Sequence, residues 1–358
     1  MPTGRHATVN VAIVGAPGYG GIELLRLLLG HPEARVAYVS GQRTIGRKVS
    51  DVYPQMRGAC DLVIEESDLD KACETADVLC FALEHGVGTE LVAQAVNRGK
   101  KVIDFSADFR LSSRAVYEAF YGEHGAPELI GRAVYGLPEL HREEIEGADF
   151  VAVPGCHATA AILPLAPVVD KGWADLGSLV IDSKTGISGV GRSKLSEINH
   201  FPEAAENVVP YSIPDHRHRP EIEQELGRLA GEDIRVTFVP TRVPLVRGIL
   251  STGYAHPSPA CPGPPSREAE LQRAFESFYA DEPFVRVVPP PELPCTKAVA
   301  GSNYADVAVR YDAHAECIIG LAAVDNLTKG LASAAVQCMN LMCGFEESDG
   351  LHAVGVWP

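Results

Sequence analysis

The sequence predicts an α/β chain in two parts, a parallel sheet covered by helices on both faces followed by a mixed α+β half, and three observations carry that reading. From Val9 onward, short apolar runs alternate with amphipathic stretches, the pattern of strand–helix–strand units. The first of those runs opens directly into a glycine-rich turn and a leucine-bearing helix. After Cys156 the runs become longer and richer in β-formers, with fewer helices between them. At 358 residues the chain exceeds one ordinary core, so two domains are expected, each large enough to fold without disulfides.

In order along the chain, strands are expected at 9–14, 35–40, 78–83, 101–105 and 150–153, each a short apolar run rich in β-branched or aromatic residues. Helices are expected between them, including 20–29 and 88–97. Beyond Cys156, residues 158–169 are small and apolar and read as one helix. Runs at 177–182, 234–240, 248–256, 284–288 and 305–324 read as strands, and 219–229 and 268–279 as helices. The proline-rich tract 257–265 reads as a surface loop. Residues 326–341 carry small and apolar residues at helical spacing, a closing helix that returns to the first domain. The expected domains are thus 1–155 with 326–358, and 156–325.

Composition excludes several function classes. A net charge of −16 repels nucleic acid and anionic lipid, which favours a soluble enzyme whose anionic substrate meets locally placed cations. Nine cysteines are scattered from Cys60 to Cys343 with no C-x-x-C pair, the usage of a reduced, cytoplasmic protein and not of a zinc site or secreted framework. Residues 1–8 lack the apolar core of a signal peptide, and no run approaches the roughly 18 apolar residues of a membrane span.

The stretch Val153-Pro154-Gly155-Cys156 delivers a cysteine from the end of a strand onto the first turn of a helix. Unpaired N–H groups and the positive end of the helix dipole favour thiolate there; the alternative is a small buried hydrophobe. Strand 9–14 runs into Gly15-Ala16-Pro17-Gly18-Tyr19-Gly20-Gly21, where Gly15, Gly18, Gly20 and Gly21, with Tyr19, form a candidate pyrophosphate cradle of a Rossmann-type domain. After the second strand, where a carboxylate would hold an NAD ribose, the chain reads Ser40-Gly41-Gln42-Arg43-Thr44, continuing to Arg47 and Lys48. Hydroxyl and guanidinium groups at Ser40 and Arg43 suit a 2′-phosphate, so NADP(H) is the expected cofactor, although Arg47 and Lys48 also fit a solvated loop.

His216-Arg217-His218 precedes a proline-initiated helix, and either histidine fits an acid–base partner for Cys156 better than a metal ligand. Gly186-Ile187-Ser188-Gly189-Val190-Gly191-Arg192-Ser193-Lys194 is a second glycine–serine loop ending in cations, suited to an anionic group or simply to a flexible connection. Arg110 ends the fourth strand at the edge where α/β sheets bind ligands, placed to hold a carboxylate or phosphate, or to pair with Asp108.

Taken together, these pieces resemble the N-acetyl-gamma-glutamyl-phosphate reductase family of the semialdehyde dehydrogenase superfamily. The resemblance spans nearly the whole chain, through GAPGYGG at Gly15, DFSADFRL at Asp104, YGLPEL at Tyr135, VPGC at Val153, GISGVGR at Gly186, HRHRPEIEQEL at His216, RGIL at Arg247, GSNYAD at Gly301 and VDNLTKG at Val324. It implies a semialdehyde dehydrogenase-like fold, NADPH, and a small acyl-phosphate substrate releasing phosphate through a cysteine thioester. It also implies a homo-oligomer, dimer or tetramer. The family nucleophile maps onto Cys156 and its acid–base histidine onto His218, with His216 as the alternative. Asn303 and Asn326 match positions lining the nicotinamide side of the cleft, Asn303 toward substrate; Ser188 and Gly189 fall to the cofactor, and Arg110 and Arg192 to the substrate.

Three positions depart from the family pattern: His157 stands where an aromatic residue is usual, Pro164 where a small one is common, and Pro17 where a small hydroxyl residue is usual. Aspartate semialdehyde dehydrogenase shares the architecture, but that family carries a histidine seven residues after its Arg-Val-Pro arginine. Here Arg242-Val243-Pro244 is followed at that distance by Ile249. The related reductase of lysine biosynthesis takes an aminoadipyl phosphate tethered to an acidic carrier, a partner that the −16 charge does not suit. A catalytically dead NADP-binding regulator would not need Cys156 together with His216 and His218.

Overall fold

A computed structural model describes residues 8–193 and 196–357; Lys194 and the first seven residues lie outside them. The chain divides into two compact units, 8–154 with 191–193 and 331–352, and 155–190 with 196–330 and 353–357. The last described residues belong to the second unit and not the first, because Val356 N–H donates to the Ala300 carbonyl (2.8 Å) and Trp357 lies under the Lys297 ammonium (5.3 Å).

The first unit holds six parallel strands: β1 (Val9–Val14), β2 (Ala34–Ser40), β3 (Val78–Phe81), β4 (Lys101–Asp104), β5 (Val134–Tyr135) and β6 (Phe150–Ala152). Their order is β2-β1-β3-β4-β6-β5, with the reversal beside β1 that marks a doubly wound sheet. Val11, Ala12, Ile13, Leu79, Phe81, Val102 and Val151 are fully buried or nearly so, as strands covered on both faces must be. Helix Tyr19–Leu28 follows β1, and the closing helix Ser333–Cys343 packs against it and against helix Pro138–Glu146. That closing helix begins later than its spacing predicts, after a wide turn at Thr328–Ala332.

The second unit carries a mixed sheet of β7 (Val180–Thr185), β8 (Val209–Pro210), β9 (Thr237–Arg242), β10 (Ile249–Ala255), β11 (Val285–Val287), β12 (Ala305–Asp312) and β13 (Cys317–Val324). Its order is β11-β12-β13-β10-β7-β9-β8. The single run expected over 305–324 is a hairpin: Asp312 Oδ1 accepts the N–H groups of His314 and Ala315 and turns the chain. The helix expected over 158–169 is two, Cys156–Ile162 and Ala166–Asp170, broken around Pro164.

The break rests on the sheet at two paired glycines, Gly253 of β10 and Gly320 of β13. A Cβ on Gly320 would stand 2.1 Å from the Pro164 carbonyl oxygen, and one on Gly253 would stand 2.8 Å from the Leu165 side chain. The helix carrying Cys156 is therefore seated by backbone contact. Gly320→Ala should lower unfolding free energy by about 3 kcal/mol, since main chain and not a flexible side-chain tip must yield. Denaturant unfolding checks this, and a loss under about 0.5 kcal/mol would mean that the helix is not held there.

Candidate active site

Cys156 is the first residue of its helix, with Gly155 as the N-cap, and its side chain is half-exposed. The main-chain N–H groups of the first turn have no acceptor four residues back within the helix, so they face outward around the sulfur. One is already used: Gly155 N–H donates to Glu221 Oε2 at 2.9 Å. Gly330 backs the turn, for a Cβ there would stand 2.8 Å from the Cys156 Cβ.

His218, the residue before helix Arg219–Ala230, lays its ring on Gly155 so closely that a Cβ on that glycine would meet Nε2 at 2.5 Å. Its Nε2 also lies 4.0 Å from Glu221 Oε1, a carboxylate 1% exposed. His216 is placed differently. Its Nδ1 accepts the His218 N–H at 3.1 Å, and its ring packs at 4.9 Å from His218, 5.5 Å from His157 and 5.2 Å from Phe238. The structure thus gathers Cys156, His216 and His218 into one cluster and adds His157, Tyr211 and Glu221 to it.

Burial, with the charge of Arg217 adding to it, pushes His216 down to about 4. An imidazole of the unfolded chain titrates at about 6.5, so the unfolded state binds the proton first. The stability this neutral ring contributes is complete above about pH 6.5 and is lost as pH falls toward about 4. His216→Asn keeps an acceptor for the His218 N–H while removing the titration, so its thermal midpoint should fall less than wild type across that window. An equal fall would assign the titration to another group.

In the first unit, Gly15 has a φ of +95°, and a Cβ on it would stand 2.4 Å from the Ala82 carbonyl oxygen, so only glycine makes this turn. Gly15 and Gly21 are thus fixed by close packing within the turn, and Gly20 packs against Leu331. Gly18, half-buried, caps the helix, where an approaching phosphate would meet N–H groups, and Tyr19 is exposed next to it. Pro17 supplies a carbonyl that accepts from Tyr53 (2.8 Å) and from Arg192 (3.5 Å), and the Arg192 guanidinium stacks 4.5 Å over the Tyr53 ring. Arg192, expected to meet substrate, therefore stands beside the glycine turn.

On the loop after β2, Arg43 is exposed and the buried Thr44 Oγ1 has no hydrogen-bond partner among the described residues. That donor set fits a 2′-phosphate. Ser40 is not part of it, being 0% exposed, with its carbonyl holding the Gly15 and Ala16 N–H groups and its hydroxyl accepting from Ser67. Its main chain serves the turn, and its side chain is engaged by Ser67. Arg47 and Lys48 are engaged locally, with the Asp51 carbonyl and Asp61.

Arg110 is 5% exposed, with Nε on the Val153 carbonyl (2.6 Å) and Nη2 on that of Phe105 (2.8 Å), which fixes its guanidinium at the carboxyl edge of β4. Asp108 receives Gly86 N–H, Thr89 and Tyr117. Asn326 links the second glycine loop to the sheet, donating to Ser188 Oγ (2.9 Å) and accepting Gly248 N–H (2.7 Å), with Gly189 alongside. Asn303 is 2% exposed, just before β12.

Sequence reasoning missed Glu221, Tyr211 and Arg242. Arg242 stacks 5.1 Å over Tyr211 and donates from Nη1 to Asn199 at 2.9 Å, while its buried Nε has no partner among the described residues. A signal existed for Glu221, which falls one helical turn after His218, and for Arg242, read only as a marker of another family. Among the described residues no group of His, Cys, Asp and Glu side chains could hold a metal ion, and no helix is long and apolar enough to cross a membrane.

Two domain families match the chain: semialdehyde dehydrogenase, NAD binding domain, over residues 10–148, and semialdehyde dehydrogenase, dimerisation domain, over 156–326. Aspartate semialdehyde dehydrogenase with NADP from Candida albicans superposes with a TM-score of 0.71 at 17% identity, covering 94% of this chain and 98% of that one. The Vibrio cholerae aspartate semialdehyde dehydrogenase II gives 0.70 at 17%, with the same coverage. These likenesses establish the fold.

Sequence relatives go further. The N-acetyl-gamma-glutamyl-phosphate reductase of Desulforudis audaxviator is 48% identical over 98% of this chain and 100% of its own length. That of Pelotomaculum thermopropionicum is 46% identical over 98% and 99%. Identity near one residue in two, sustained from end to end of these relatives, is more than a shared architecture, and the chain belongs to the N-acetyl-gamma-glutamyl-phosphate reductase family.

Proposed function

We propose that this protein catalyses the NADPH-dependent reductive dephosphorylation of N-acetyl-gamma-glutamyl phosphate to N-acetylglutamate 5-semialdehyde, a step of arginine biosynthesis, through a thioester on Cys156. The observation that carries the reading is the His218 ring resting on Gly155, one residue from a half-exposed thiol at a helix start, with Glu221 accepting the Gly155 N–H and lying 4.0 Å from the ring.

Cys156, as thiolate, attacks the acyl carbonyl; the carbon–oxygen bond to phosphate breaks, and inorganic phosphate departs with that electron pair. N–H groups of the first turn meet the carbonyl oxygen as it gains charge. His218 holds the thiol proton during attack and returns a proton when the sulfur leaves the reduced carbon. The glycine turn, with Arg43, Thr44 and Arg192 toward the phosphates, would hold NADPH, and that cofactor would supply the hydride. Arg242, with its uncommitted Nε, and Arg110 are assigned to the anionic groups of the substrate, and Asn303 and Asn326 to the walls of the site.

The protein acts in the cytoplasm as a homo-oligomer in this reading. Support for the latter is the outward face of the second sheet, where Leu250, Tyr254, Ile319 and Leu321 stay only half-covered.

The test runs the reverse reaction, NADP- and phosphate-dependent oxidation, on N-acetylglutamate semialdehyde, aspartate semialdehyde and the carrier-linked aminoadipate semialdehyde side by side. The first should be oxidised at least about 100-fold more efficiently, the discrimination expected where buried polar groups read the substrate. Preference for either of the others overturns the substrate assignment.

A further inference from the structure

Helix Cys156–Ile162 carries the thiol of the site and strand β9 ends on Arg242, and a chain of side-chain contacts joins the two elements. One residue past Cys156, the His157 imidazole meets two hydroxyls: Nδ1 lies 2.7 Å from Ser183 Oγ and Nε2 lies 2.9 Å from the Tyr211 hydroxyl. The Tyr211 ring in turn carries the Arg242 guanidinium, 5.1 Å from its centroid. Arg242 also donates to Asn199 from Nη1 at 2.9 Å, while its buried Nε has no partner among the described residues.

Main-chain pairing alone holds this corner loosely. Strand β8 is a two-residue edge strand that pairs Val209 with Arg242 and Pro210 with Thr241, and beyond it Tyr211 N–H donates to the Pro240 carbonyl at 3.1 Å. Pro210 has no N–H to give. So short a ladder at a sheet edge belongs to the easily opened part of a fold. The bond from His157 tethers it to a buried helix.

The tether has a defined direction. His157 is 2% exposed, and burial, with His216 adding to it, holds the ring well below the usual histidine value, so it is neutral with one N–H and one lone pair. Among the described residues Ser183 Oγ bonds only to His157, and Ser251, paired with it across the strands, makes no side-chain hydrogen bond. A buried hydroxyl with one polar neighbour gives that neighbour its proton, because a stranded donor costs more than an unused lone pair. Nδ1 therefore accepts, and Nε2 carries the hydrogen and donates to the Tyr211 oxygen. A hydrocarbon ring at position 157 would fill the space and make neither bond.

We propose that His157 is a positioning and specificity-determining residue: ordered by Ser183, it fixes Tyr211, and through that ring it sets where the Arg242 guanidinium stands relative to the helix that carries Cys156. With Cys156 and Arg242 in the roles proposed above, on which this selection rests, that spacing selects the length of acyl chain. Only a chain of matching length places its anionic end on Arg242 while its carbonyl meets the sulfur.

Phenylglyoxal labelling of the ligand-free protein, followed by mass spectrometry of the Arg242 peptide with exposed Arg43 as internal reference, reads how firmly the guanidinium is held. Tyr211→Phe, which keeps the ring and loses only the hydroxyl, should raise labelling of Arg242 by about fivefold, as loss of one buried hydrogen bond allows. His157→Phe should do the same, and the double variant no more than either alone. His157→Gln, whose amide offers both a donor and an acceptor, should stay within about twofold of wild type. In turnover, Tyr211→Phe and His157→Phe should raise KM for N-acetylglutamate semialdehyde by about fivefold with kcat changed by less than about twofold. Preference over aspartate semialdehyde should fall by the same factor.

Unchanged labelling in Tyr211→Phe overturns the tether, as do increases that multiply in the double variant. A loss of kcat with KM unmoved overturns the selection. Should His157→Phe fail to fold, Tyr211→Phe and His157→Gln decide alone. A wild type inactive on the N-acetylglutamate substrate refutes the proposed reaction and the selection with it, while labelling, which needs no turnover, still judges the tether.

Discussion

Cys156→Ser should retain NADPH binding within about twofold by fluorescence titration and lose turnover by a factor on the order of 10³ or more. The substitution leaves the helix start, the Gly155–Glu221 bond and the His218 packing in place, so it changes the nucleophile alone. A serine hydroxyl at neutral pH is almost wholly protonated, whereas a thiol near 8.5 already has a few per cent thiolate before its surroundings act. Activity within about tenfold of wild type would remove covalent catalysis from the account.

His218→Asn should lower kcat by about 10² to 10⁴ with little effect on cofactor affinity, the range for loss of a placed acid–base group. The structure separates this residue from its neighbour on two grounds. His218 lies on the glycine that precedes the nucleophile, whereas His216 spends Nδ1 on a main-chain N–H and is pushed down to about 4, too low to exchange protons near neutrality. His216→Asn should therefore cost far less than His218→Asn. The reverse ranking in kcat would transfer the acid–base role to His216.

Much of this was legible in the sequence. The strand at Val9–Val14 and the helix after it announce themselves because a strand buried on both faces must be continuously apolar and its turn must be glycine. Cys156 and the paired histidines stand out because their residue types carry chemistry in any context. The break at Pro164 escaped notice since the flanking residues remain small and apolar, and only the close approach of Gly320 shows why the chain bends there. Helix Arg114–Tyr121 was unread, its single well-buried residue, Tyr117, giving too thin an apolar stripe.

The surroundings of Arg192 were not legible for another reason: a cation at the end of a loop declares a charge but not its neighbours, and here those are Pro17 and Tyr53. Tyr211 was silent, and the spacing of Glu221 from His218 signalled only half its role, because their contacts with His157 and Gly155 reach across dozens of residues, which no local spacing encodes.

The Glu221 carboxylate grips the nucleophile's turn with one oxygen and faces the base with the other. Thermal jitter in the two halves of the reacting pair is therefore shared through a single anchor. Sulfur and imidazole should therefore drift in concert, the gap between them fluctuating less than either partner's own wandering.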